Sequence, residues 1–182
     1  MDIRERKREF RAEIKAAEAQ LTEEYLRESS SSLCGQIMAL EDYRRAKTIF
    51  AFVSFGREWD TSVLLDDAWA AGKTVVVPRC RKGGMMDLCI ITGLCDLEPG
   101  AYGIMEPRAD CPIVNEAAID FAVIPCLCCS EKGERMGRGG GFYDRFLERY
   151  KGPAVLPCRR ELLRSDVPME PHDAVVPHVI TD

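Results

Sequence analysis

Glycines and arginines crowd one stretch of this chain. Arg135, Met136, Gly137, Arg138, Gly139, Gly140 and Gly141 run directly into Phe142, Tyr143 and Asp144. Four glycines within five positions cost chain entropy, which makes sense where a ligand must approach bare backbone. Unshielded N–H groups at a helix start form an anion site, and Arg135 and Arg138 bring positive charge to the same place. The ligand chemistry that fits is a phosphate, above all that of a nucleotide. The stretch is not a Walker loop, because no Gly-Lys-Ser/Thr follows. Nor is it a dinucleotide fingerprint, because Phe142 stands where a third spaced glycine is needed. A flexible hairpin or a simple helix cap is the competing account of the glycines.

The elements around that stretch must place it. Phe121-Ala-Val-Ile124 reads as a short buried strand ended by Pro125, and Phe142, Phe146, Leu147 and Tyr150 recur afterwards at helical spacing. Residues 2 to about 20 read as a helix with Ile3, Phe10, Ile14, Ala17 and Leu21 as its apolar stripe. Arg4, Lys7, Arg8, Arg11 and Lys15 lie along a neighbouring face. By spacing alone that face is solvated charge, with Lys7 and Arg11 converging on a phosphate as the sharper alternative. Thr22 is placed to cap a second helix bearing Leu26, Leu33, Ile37 and Leu40, and Ser29 to Ser32 read as its polar face.

Thr48 to Val53 reads as a strand covered on both sides, and Ser54 to Trp59 as the loop at its carboxyl end. Asp60-Thr-Ser offers a cap for a helix carrying Leu64, Leu65, Ala68 and Trp69, which Gly72 ends. Thr74 to Val77 is the next strand, with Pro78 expected to stop it. The pattern predicts one α/β domain over 1–182, a three-layer arrangement with a mostly parallel sheet and helices on both faces. Ligands of such sheets bind beyond the carboxyl ends of strands, where Glu58 and the glycine stretch both fall. Further along, Leu88 to Ile91 and Ala154 to Leu156 read as strands, and Asn115 as the start of a helical turn.

A formal net charge of −5 argues against nucleic acid as the main partner. No apolar run reaches membrane-spanning length, and residues 2–11 are charged rather than signal-like, so a cytoplasmic protein is expected. Nine cysteines are irregularly spaced, and only Cys126-Leu-Cys-Cys129 gives a C-x-x-C. With no second pair and no His-x-x-x-His, they are expected to be reduced packing thiols rather than a zinc site.

The ordered set of motifs resembles the 5-formyltetrahydrofolate cyclo-ligase (methenyltetrahydrofolate synthetase) family over nearly the whole chain. It comprises Lys7-x-x-x-Arg11, Tyr43-x-x-Ala-Lys47, Ser54, Glu58, Asp60-Thr61, Gly72-Lys73, Pro78 and Met86. It continues through Gly103-Ile-x-Glu-Pro107 and Gly133-x-Arg-Met-Gly-Arg-Gly-Gly-Gly-Phe-Tyr-Asp-Arg145 to Val167-Pro-x-Glu-Pro-His-Asp173. The resemblance implies a fold similar to sugar-phosphate isomerases and CoA-transferases. It also implies conversion of 5-formyltetrahydrofolate to 5,10-methenyltetrahydrofolate with ATP and Mg2+, through a phosphorylated formyl oxygen, by a monomer.

Lys7, Arg8, Arg11 and residues Arg135 to Tyr143 would then hold ATP. Val53, Glu58, Arg138, Gly139, Gly140, Gly141 and Phe142 would contact the folate. Asp144 and Asp173 would ligate Mg2+, and catalytic roles would fall to Arg138, Glu58 and Tyr143. Phe142 and Tyr143 could supply an aromatic wall for the pterin. The chain departs from the family pattern at Pro125-Cys-Leu-Cys-Cys-Ser130, at Phe142 where Tyr is usual, around Cys158 to Leu162, and at Pro177. Those departures keep open a non-catalytic nucleotide- or folate-binding module. A relative of the isomerases or CoA-transferases is a third reading, which the Lys7/Arg11 helix and the glycine stretch disfavour.

Overall fold

The computed structural model describes residues 2–100 and 103–182. Helix α1 (Ile3–Ala19) starts where the Asp2 side chain accepts from the Arg4 backbone N–H. Helix α2 (Glu23–Ala39) starts at Thr22, whose hydroxyl accepts from the Tyr25 N–H at 3.1 Å. After the short α3 (Glu41–Arg45) the chain enters β1 (Thr48–Phe50). Helix α4 (Ser62–Ala70) then leads into β2 (Thr74–Cys80) and β3 (Met86–Ile91). The remaining elements are β4 (Leu97–Pro99), β5 (Met105–Pro107), β6 (Ile113–Val114), β7 (Phe121–Val123), β8 (Cys128–Cys129) and β9 (Arg135–Met136). Helix α5 (Phe142–Arg149), β10 (Ala154–Pro157) and β11 (Val179–Ile180) complete the chain.

Seven strands form the central sheet in the order β11-β10-β7-β1-β2-β3-β6. The pairs from β11 through β2 are parallel, and β3 and β6 extend the sheet antiparallel. Alternate residues serve opposite faces. Ile49, Ala51, Val75, Val77, Phe121 and Val123 face a core shared with Leu33 and Ile37 of α2 and Leu64 and Leu65 of α4. Phe50, Val76, Ala122 and Ile124 face the other core, with Phe10 and Ile14 of α1 and Phe146 of α5. Two cores on opposite sides of one sheet make the expected three layers. No described helix is long and apolar enough to cross a membrane.

Two sequence expectations change. Pro78 does not stop its strand, because β2 runs on to Cys80 paired with β3, Pro78 opposite Leu88. On its other side β1 ends at Phe50 opposite Val76, so the proline lies beyond the parallel pairing, where its missing N–H is tolerated. Ser29 and Ser30 are not a solvent face either. Both are buried, and their hydroxyls accept from the buried guanidinium of Arg159, at 2.9 Å for Ser29 and 3.5 Å for Ser30.

Candidate functional site: the glycine turn and the carboxyl ends of β1 and β7

The glycine stretch lies between β9 and α5, and α5 opens at Gly141 in the left-handed region (φ 69°). Gly139, at φ 99°, passes so close to α1 that an added Cβ would stand 3.4 Å from the Arg11 guanidinium carbon. Backbone freedom and bare space are thus both used there. Arg11 Nε donates to Gly137 O at 2.9 Å, which fixes α1 against the turn. Arg145, one turn into α5, donates back to Gly141 O at 3.0 Å.

Lys7 sits on the inner side of α1, only 8% exposed. Its amine donates to Glu170 Oε2 at 2.7 Å and Asp173 Oδ2 at 2.5 Å, so the extended carboxyl-terminal strap, residues 167–176, meets the first helix here. Burial works against the charge on Lys7, but its hydrogen bonds to Asp173 and Glu170 outweigh it and raise the amine's pKa. Asp173 moves the opposite way: burial opposes its charge, and the Lys7 and Glu170 N–H donors hold the carboxyl below its usual range.

Asp144, in the first turn of α5, accepts from Arg135 Nη2 at 2.6 Å and from the backbone N–H of Ala174 at 3.2 Å. That second bond brings it beside the residue following Asp173, so the two proposed metal carboxylates share one corner. The Arg135 side chain is only 3% exposed, and its buried Nε has no hydrogen-bond partner. One buried guanidinium N–H beside the glycine turn is thus left without a partner, which is uncommon for a buried polar group. The strap is seated by close approach: Val176 N donates to Gly133 O at 3.0 Å, and a Cβ on Gly133 would stand 2.0 Å from Val176 O.

Glu58, in the loop after β1, receives Arg138 Nη2 at 2.8 Å and Nε at 3.1 Å on one oxygen. Its other oxygen accepts from Phe55 N at 2.9 Å, and the Arg138 guanidinium lies 5.9 Å from the Phe55 ring centre. Beside this pair a narrow cleft runs between Glu18, Phe52, Glu58, Trp59, Pro125 and Arg159. Val53, half-buried, packs against the core next to Phe52.

The structure therefore gathers Lys7, Arg11, Arg135, Met136, Gly137 to Gly141, Asp144 and Asp173 around the turn, with Glu58 and Arg138 at its edge. It does not bring Arg8 to them: Arg8 points to solvent and pairs with Glu5 one turn away. Phe142 and Tyr143 are half-buried and pack into the α1–α5 core, Tyr143 with its ring centre 6.1 Å from that of Phe50. Burial pushes the Tyr143 phenol well above its usual range, so it is a neutral group. Glu170 joins the site unannounced by the sequence reading, although it lies in the Val-Pro-x-Glu-Pro-His-Asp motif that supplied Asp173.

A model of the 5-formyltetrahydrofolate cyclo-ligase family matches residues 3–182. The Escherichia coli K12 protein named 5-formyltetrahydrofolate cyclo-ligase is 30% identical over 167 residues, covering 88% of this chain and 92% of that one. The Haemophilus influenzae protein of the same name is 29% identical, over 84% of this chain and 83% of its own length. The Aquifex aeolicus 5,10-methenyltetrahydrofolate synthetase structure superposes with a TM-score of 0.84 at 27% identity, covering 96% of this chain and 89% of that one. A Mycoplasma pneumoniae structure, at 16% identity and a TM-score of 0.78, shares the fold. The chain thus belongs to the 5-formyltetrahydrofolate cyclo-ligase family.

Proposed function

We propose that the protein closes 5-formyltetrahydrofolate to 5,10-methenyltetrahydrofolate, with ATP as phosphoryl donor and ADP and phosphate as products. Family membership supports the reaction. The observation that carries the residue assignment is the pairing of Arg138, on the nucleotide side, with Glu58, on the side of the cleft. That pair supports a reading in which the terminal phosphate and the formyl oxygen meet between Arg138 and Glu58.

A formamide oxygen is a poor nucleophile and a worse leaving group, so the protein's task is alignment and charge neutralisation. The glycine backbone from Gly137 to Gly141 cradles phosphate oxygens, with Lys7, Arg11 and Arg135 supplying charge. The orphan Arg135 Nε gains a partner when the anion arrives. Arg138 turns from Glu58 to the phosphoryl group as it passes from the departing ADP oxygen to the formyl oxygen. Glu58, released, accepts a hydrogen bond from the folate. The carboxylates of Asp144 and Asp173, with Glu170 and His172 clustered beside Asp173, would hold Mg2+ through their oxygens. That ion, when bound, neutralises phosphate charge. Tyr143 stays protonated and limits water at the start of α5.

The purified protein with ATP, Mg2+ and 5-formyltetrahydrofolate is expected to form a near-UV-absorbing methenyl product, one ADP released for each. ATP binding by calorimetry with no ADP released in the presence of the folate would overturn the reading in favour of a binding module.

A further inference from the structure

Three of the nine cysteines converge at one point. Cys126 lies just beyond β7, Cys158 just beyond β10, and Cys129 ends β8, yet their sulfurs all lie within 4.8 Å of one another. The sheet makes the meeting. β7 and β10 are adjacent and parallel, with Val155 opposite Val123, so the chain continuing from each strand emerges at the same end. The β8–β9 hairpin, held by Leu127 N donating to Met136 O at 2.7 Å, then turns Cys129 back towards both. Cys129 and Cys158 are buried and Cys126 is half-buried. Cys126 and Cys158 also line the narrow cleft that contains Glu58.

The geometry points to a site for a thiophilic divalent cation, Zn2+ by preference, held by Cys126, Cys129 and Cys158 with its fourth position open to that cleft. Zn–S bonds of about 2.3 Å in a tetrahedron place sulfurs roughly 3.8 Å apart, so small side-chain rotations close the set. Soft thiolates select zinc over Mg2+, which keeps the site separate from the carboxylates around Asp144. The buried guanidinium of Arg159 follows Cys158 directly, with its hydrogen bonds to Ser29, Ser30 and the Arg57 carbonyl.

Reduced full-length chain, titrated anaerobically with Co2+ as a spectroscopic stand-in, tests this without folate or ATP. One equivalent is expected to bind, with an intense thiolate-to-cobalt band that Zn2+ abolishes by displacement. Affinity is expected to rise with pH, because binding releases thiol protons. Cys126→Ser and Cys158→Ser should each weaken binding at least tenfold, while Cys80→Ser/Cys95→Ser, which changes two exposed thiols, leaves it intact. Circular dichroism checks that each variant folds, and the half-buried Cys126→Ser carries the test if Cys158→Ser does not. No band in the parent chain, or a band that survives in Cys126→Ser and is lost with Cys80 and Cys95, overturns the proposal and leaves the three thiols as packing groups.

Discussion

Two sets of opposite charges flank the glycine turn, and they differ in depth. Lys7 with Glu170 and Asp173 is sunk between α1 and the carboxyl-terminal strap, with 9% of the lysine side chain exposed. At the rim, Arg138 with Glu58 opens to solvent on the arginine side, with 42% of the arginine and 17% of the glutamate side chain exposed. A buried pair gains little over hydrophobic packing but is expensive to break, whereas an exposed pair contributes little either way. The deep set therefore joins residues more than a hundred and sixty positions apart, and a nucleotide or cation must compete with it for Lys7 and Asp173. The rim pair, with its open arginine, is the easier of the two to exchange for a ligand.

The largest effect that could break this contrast is expected from Lys7→Met. It strands two carboxylates beside α1 and should destabilise the fold by roughly 3 kcal/mol in urea unfolding. A loss below about 0.5 kcal/mol would put the deep set on the same footing as the rim. Next is Arg138→Ala, which should lower kcat about 100-fold or more. Folate affinity should change far less, and stability by under about 1 kcal/mol. Equal losses in turnover and folate binding would assign Arg138 a substrate-holding role instead.

The smallest effect sharpens the comparison through pH. The folded Asp173 carboxyl titrates below its unfolded value of about 3.9, so its stabilisation is present above that pH and fades as pH falls through the folded value. Lys7, raised when folded, contributes fully below its unfolded value of about 10.4 and loses that contribution as pH climbs through the folded one. Asp173→Asn is accordingly expected to flatten the loss of stability on acidification below about pH 4. An acid limb as steep as the parent's would show that Asp173 is not held by Lys7.

Local chemistry alone placed much of this molecule. The stripe of Phe10 and Ile14, the Thr22 cap and the glycines ahead of Phe142 were legible because helix period and turn preference act within a few residues. The ordered motifs extended that reading to Glu58, Arg138, Asp144 and Asp173 as candidates for one site. Lys7 was ambiguous, since a lysine one turn from Arg11 looks the same on a solvated face as on a buried one. What buries it is a strap from the other end of the chain.

Only the tertiary structure decided the pairings. Arg138 finds Glu58 eighty residues away, Ser29 and Ser30 receive Arg159, and β2 runs through Pro78 because its parallel neighbour has already ended. Cys158 joins Cys126 and Cys129 because β10 lies beside β7. The reason is common to all of them. Periodicity and turn residues specify elements one at a time, whereas the order of strands in the sheet sets which distant side chains come within bonding distance.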